Sequence, residues 1–128
     1  MKLGYIFKIW TLVFFYFFKF LHAQSPQVNW QELSTSPPIY SNTYLAYDEN
    51  LEQLILFGGL TTPNKTPTNE TWILSERKWI KLSPIVSPSA RSHGTMVYDE
   101  TSKRLILFGG EDENGLLLND TWTWDGTN

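Results

Sequence analysis

The chain has 128 residues, 13 acidic and 10 basic, for a net charge of −3, and it contains no cysteine. Without cysteine there is no disulfide framework and no thiolate metal site. A weakly acidic chain with scattered charges lacks the basic stripe that a nucleic-acid partner requires, and its length suits one modest domain held by core packing alone.

The first 23 residues differ in kind from the rest. Lys2 and Lys8 are followed by a charge-free run from Ile9 to Phe18, dense in Phe, Trp and Tyr, and then by His22-Ala23-Gln24. A basic start, an apolar run and a small residue at the cut form the layout of a secretory signal peptide, and residues 1–23 are assigned to one. The rival, an uncleaved membrane anchor, needs about 20 apolar residues, and Lys8 and Lys19 bracket the run too closely. Cleavage after Ala23 leaves seven basic and 13 acidic side chains, a net charge of −6. It also places the protein outside the cytoplasm, secreted or periplasmic. Membrane contact is confined to an uncleaved form of that segment.

The remainder, 24–128, reads as strands. Trp30-Gln31-Glu32-Leu33 comes first, as a lone outer strand. Leu45-Ala46-Tyr47 leads to a polar turn at Asp48-Glu49-Asn50, and Leu54-Ile55-Leu56-Phe57 runs into Gly58-Gly59. Thr71-Trp72-Ile73-Leu74 is β-branched and aromatic, as half-buried strands prefer. A turn at Ser75-Glu76-Arg77 precedes Trp79-Ile80-Lys81-Leu82. The series then begins again, with Met96-Val97-Tyr98, Leu105-Ile106-Leu107-Phe108 into Gly109-Gly110, and Thr121-Trp122-Thr123-Trp124 before the hairpin signal Asp125-Gly126. Short apolar runs flanked by glycine suit buried strands better than helices.

The two series are copies. Ser36 to Gly59 and Ser87 to Gly110 align without a gap, 51 residues apart, with 12 of 24 positions identical. Asn69-Glu70-Thr71-Trp72 matches Asn119-Asp120-Thr121-Trp122 at a spacing of 50, and Trp30 matches Trp79 at 49. A period of about 50 residues marks a propeller or solenoid of repeated units, and four antiparallel strands in that length make one propeller blade. Repeat 1 spans about 36–83. Repeat 2 spans about 87–128 and lacks its last strand. Gly58, Gly59, Gly109, Gly110, Trp30, Trp72, Trp79, Trp122, Tyr47 and Tyr98 are assigned to this repeated architecture. The glycine pairs are expected to end their strands, where the missing Cβ permits positive φ and close backbone approach.

Phe-Gly-Gly, then Asn-Asp/Glu-Thr-Trp, then Trp-x-x-Leu, with Arg91-Ser92-His93-Gly94 before the first strand of the second copy, resembles the kelch repeat. The whole pattern, over about residues 28–128, is similar to bacterial kelch-containing proteins and galactose-oxidase-type propeller domains. The resemblance implies an all-β fold: a partial kelch-type propeller of about two four-stranded blades plus the lone Trp30 strand. The first copy departs from it, with Tyr40 and Asn42 where Arg91 and His93 stand in the second. Rings of this kind close with typically 4–8 blades. The next tryptophan of the period is due at position 129, so an N-terminal fragment of a longer propeller is expected. The alternatives are an assembly of copies that completes the ring and a marginal pair of sheets standing alone.

Few residues are left for chemistry. Arg91 and His93 resemble half of an anion or catalytic site, although in the kelch motif such residues hold the start of a blade by hydrogen bonds. One histidine beyond residue 23 and no cysteine disfavour a His/Cys zinc or copper cluster. Galactose oxidase's copper site needs a tyrosine cross-linked to cysteine, so that activity does not carry over, and no cofactor is expected. Glu111-Asp112-Glu113-Asn114-Gly115 is an oxygen-rich loop without EF-hand spacing. Asn64 opens a glycosylation sequon, Asn64-Lys65-Thr66. The expected function is a protein- or glycan-binding scaffold, with Arg91, His93, Asn64, Asp112 and Asn114 as candidate ligand contacts on the loop face and no catalytic residue. An enzyme whose catalytic residues lie in further blades, and a non-functional truncated product, are the alternatives.

Overall fold

The computed structural model describes residues 29–33, 37 and 40–127. The chain divides into two compact units, Met1–Glu32 and Leu33–Asn128. The proposed leader, residues 1–23, lies outside the described residues. Of the first unit, Asn29–Glu32 is described, and it forms no strand.

The second unit is all-β. Nine strands follow in chain order: β1 (Tyr40–Ser41), β2 (Tyr44–Asp48), β3 (Gln53–Phe57), β4 (Leu60–Thr61), β5 (Thr71–Ser75), β6 (Lys78–Leu82), β7 (Thr95–Asp99), β8 (Arg104–Glu111) and β9 (Leu117–Trp124). Repeat 1 builds a four-stranded antiparallel sheet, β2-β3-β5-β6, and repeat 2 a three-stranded one, β7-β8-β9. The short strands β1 and β4 pair with each other.

Register fixes which side chains share a face, because residues opposite each other in a pair point the same way. In the first sheet Ala46 lies opposite Ile55, Tyr44 opposite Phe57, and Phe57 opposite Thr71. This face packs on the second sheet, where Met96 pairs with Leu107 and Leu107 with Trp122. Tyr44, Phe57 and Leu107 form the buried cluster, with Met96 and Trp122 against it. The Tyr44 and Phe57 rings meet edge to face at 5.8 Å. Fully burying one such side chain stabilises the fold by about 2 kcal/mol, so this small cluster carries much of the contact between the sheets. Tyr44 also crosses it: its hydroxyl donates to the Gly109 carbonyl at 2.9 Å.

Polar turn residues close the hairpins. Asp48 Oδ1 accepts from the backbone N–H of Asn50 and Leu51, both at 3.0 Å, and Asp99 does the same for Thr101 and Ser102 at 3.1 and 3.2 Å. Glu76 and Arg77 form the two-residue loop between β5 and β6 with φ of 48° and 66°, the conformation whose twist matches a hairpin.

Two expectations are corrected. Gly58 follows the end of β3, but Gly109 and Gly110 lie inside β8, which continues to Glu111 through an irregularity between Phe108 and Gly110. The strand continues because Gly110 and Glu111 pair with Leu118 and Leu117. Trp30 is fully exposed and in no strand, unlike its counterpart Trp79. Trp79 lies opposite Leu74 because a two-residue loop folds β6 back on β5. The tetrapeptide at 30–33 forms no strand. Tyr47, too, is half-exposed, whereas the hydroxyl of its counterpart Tyr98 is buried.

Candidate functional site

The segment Arg91–His93 runs between the two repeats at one end of the sheets. Arg91 bridges Thr68, and Ser92 bridges Glu111. Gly59 N–H donates to the Arg91 carbonyl at 2.9 Å, Arg91 N–H to Thr68 at 3.1 Å, and Ser92 N–H to Glu111 at 3.0 Å. The loops after β4 and β8 are thereby tied to the strand that enters β7.

Arg91 is buried, its side chain 1 % exposed. Its Nη1 and Nη2 donate to Asp120 Oδ1 and Oδ2 at 2.5 and 2.8 Å. Nη1 also reaches the Gly109 carbonyl at 3.2 Å, and Nε the Ser89 carbonyl at 3.1 Å. Trp122 Nε1 donates to the same carboxylate at 2.7 Å. A bidentate, fully engaged guanidinium is a structural clamp, so Arg91 is not available to a ligand. Its hydrogen bonds hold the Asp120 carboxyl well below the usual range.

Repeat 1 builds the same clamp from other residues. Glu70 replaces Asp120 and accepts from Trp72 Nε1 at 3.0 Å. The Tyr40 hydroxyl and Lys81 Nζ also donate to it. Burial alone would raise the Glu70 carboxyl; the bonds from Lys81, Tyr40 and Trp72 together hold it below its ordinary value. Burial, followed by the bond to Glu70, pushes the Tyr40 hydroxyl up to about 12. Tyr40 stands at the repeat position of Arg91, so the departure seen in sequence preserves a donor to the same acid.

These depressed carboxyls set an acid limit. Asp120 and Glu70 bind protons more weakly in the folded chain than in the unfolded one. Their contribution is therefore intact above their ordinary values of 3.8 and 4.5 and is lost as pH falls below them. Urea midpoints measured from pH 6 to pH 3 fall steeply below about pH 4.5 in the wild type, and Asp120→Asn, starting lower, falls less steeply over that range. Parallel curves would remove the clamp from the account.

His93 is the candidate that stays open, with about half its side chain exposed. It has φ of 61°, and its repeat counterpart Asn42 has 54°. The two meet: His93 N–H donates to the Asn42 carbonyl at 3.2 Å, and Asn42 Nδ2 donates to His93 Nε2 at 2.7 Å. The neutral ring then carries its proton on Nδ1 and donates to Ser92 Oγ at 2.9 Å. Glu111 Oε2 lies 3.8 Å from the same nitrogen. His93 and Glu111 rim an open cleft of about 380 Å³ over Phe108, Gly109 and Gly110. A second, apolar cavity of about 410 Å³ lies in the seam between the sheets, beside Pro84, Val86, Leu105 and Trp124.

The other sequence candidates do not join His93. Asn64 is exposed in a loop closed by Thr61 N–H to the Thr66 carbonyl at 2.9 Å. Asp112 Oδ1 accepts from Asn114 and Leu116 N–H at 2.8 and 2.9 Å, so it organises the acidic loop, and these bonds lower its carboxyl. Asn114 is exposed at the loop tip. Sequence reading missed Asn42 and Glu111 as partners of His93, and it missed Asp120 as partner of Arg91. The signal for Asp120 was the acid kept before Thr-Trp in both copies. Among the described residues no group of three His, Asp or Glu side chains is placed to hold a metal ion.

No family model matches this sequence, and no curated protein sequence matches it. Among solved structures the chain is similar to that of YjhT, at 18 % identity over 77 % of this chain, with a TM-score of 0.57. The match covers 32 % of the YjhT chain, so this chain spans about a third of that structure's length. Together, the antiparallel sheets and this likeness define a small all-β chain of propeller-like fold.

Proposed function

We propose that the chain supplies blades of an exported kelch-type β-propeller whose role is to bind a protein or glycan ligand at the His93 end. The kelch reading is supported by the repeated Phe-Gly-Gly and Asn-acid-Thr-Trp motifs and by the likeness to YjhT, a kelch-type propeller. Export rests on the composition of residues 1–23. The observation that carries the binding role is the exposed pair His93 and Asn42, with Glu111 beside it, where the loops of both repeats converge on one end. Rigid sheets presenting polar loop residues at one end suit recognition.

The purified chain is tested on an array of immobilised oligosaccharides and peptides. Saturable binding is expected, weakened about tenfold by His93→Ala or Asn42→Ala, the loss of one or two ligand hydrogen bonds. Binding indifferent to both replacements, or no saturable binding on either surface, overturns the reading.

A further inference from the structure

The two sheets are stacked so that unlike faces meet. The first sheet contributes the face of Tyr44, Ile55, Phe57 and Thr71; the second contributes the opposite kind, that of Met96, Tyr98, Leu105, Leu107 and Trp122. Each sheet carries both kinds, because the repeat is the same. The other face of the first sheet bears Leu45, Tyr47, Leu54, Leu56 and Trp72, the repeat counterparts of the second sheet's covered residues. The other face of the second sheet bears Thr95, Val97, Ile106 and Phe108, the counterparts of the first sheet's covered ones.

Burial follows that line at several positions, with Leu56, 8 % exposed on the other face of the first sheet, as an exception. Phe57 is 4 % exposed and its counterpart Phe108 50 %; Val97 and Tyr47 are also more than half exposed. The cleft over Gly109 and Gly110 repeats the pattern. At the first sheet the Arg91 carbonyl, from the segment entering the next repeat, lies 2.6 Å from a Cβ built on Gly58, whereas the atom nearest a Cβ on the equivalent Gly109 is the Leu118 carbonyl of its own sheet, at 2.9 Å.

From this we infer that the chain associates with a second copy of itself, head to tail, the Tyr47 face of one copy packing on the Val97–Phe108 face of the next. The occupant is specified by the fold, since each free face has its complement, already packed once inside the chain, on the far side of the same molecule. Such a contact is heterologous, joining two different surfaces, and it extends to a ring or a filament according to the rotation it imposes. Stacked repeats bury a continuous core in this manner. The inference rests on the sheet faces and is independent of ligand binding at His93.

Sedimentation velocity of the full chain over a range of concentrations tests it, with Tyr47→Asp and Val97→Asp placing one charge on each free face. Circular dichroism checks that both variants keep their strands. Wild type is expected above monomer mass. Each variant alone is monomeric, and an equimolar mixture of the two gives a one-to-one dimer, because each retains the face the other needs. A monomeric wild type overturns the inference, as it would if further repeats or another protein cover these faces. Self-association of either variant alone points to like faces pairing and overturns it equally. His93→Ala associates as wild type does, which separates this outcome from that of the binding test.

Discussion

Replacing Asp120 by alanine lowers the unfolding free energy by roughly 3 kcal/mol, the cost of stranding a buried charge, while Arg91→Met costs about half as much. The asymmetry follows from burial. The Arg91 side chain is 1 % exposed and that of Asp120 is 41 % exposed. Without Asp120, the guanidinium keeps the Ser89 hydroxyl and the carbonyls of Ser89 and Gly109 but loses its counter-ion. Trp122 Nε1 loses its acceptor as well. Without Arg91, the Asp120 carboxylate is still solvated and still accepts from Trp122, and the Gly109 carbonyl keeps the Tyr44 hydroxyl. Methionine fills most of the space of the arginine stem. Urea titrations followed by tryptophan fluorescence at neutral pH give both values. Equal losses, or a larger loss for Arg91→Met, would show that the clamp does not hold a desolvated cation.

The same clamp shows which parts of this fold are legible in sequence. Leu54–Phe57 and Leu105–Phe108 announce central strands because they are apolar on both faces and pair on both sides, although only one face of each sheet is packed on the other and Phe108 is left half exposed. The hairpin turns are legible because Asp48 and Asp99 cap their own backbone two and three residues on. Contacts that depend on how one repeat meets another are less so. Tyr40 and Asn42 read as departures from Arg91 and His93, yet Tyr40 donates to Glu70 as Arg91 does to Asp120, and Asn42 is the hydrogen-bond partner of His93. Position-by-position comparison sees a difference in residue type; the chemistry kept is a donor aimed at the same acid. Trp30 fails in the opposite direction. Its identity matches Trp79, but strand formation needs a neighbour to pair with, and a matching tetrapeptide does not supply one.

Gly110→Ala is expected to cost about 3 kcal/mol or more, from overpacking of roughly 1–3 kcal/mol and a left-handed backbone penalty of about 1–2 kcal/mol. A Cβ built on Gly110 meets the Tyr44 hydroxyl at 1.9 Å and the Ser92 carbonyl at 2.7 Å, at φ of 109°. Tyr44 is buried and bonded to Gly109, so it has no easy retreat. Gly115 separates the two contributions: its φ is 77°, but its nearest neighbour is the Glu111 carboxylate at 3.4 Å, and Gly115→Ala should cost only about 1 kcal/mol. In the Tyr44→Phe background the nearest ring atom, Cζ, lies 3.2 Å from the same Cβ, while the Ser92 carbonyl is unmoved. The penalty of Gly110→Ala should then shrink by about 1 kcal/mol without vanishing, a coupling of the size found for residues in contact. Additive effects in this cycle, or equal losses at positions 110 and 115, would mean that Tyr44 does not enter the second sheet at Gly110. The glycine would then answer to its backbone conformation alone. The coupled result instead makes Gly110 the receiving half of a lock, with Tyr44 as the inserted half and the stacking of the two sheets dependent on both.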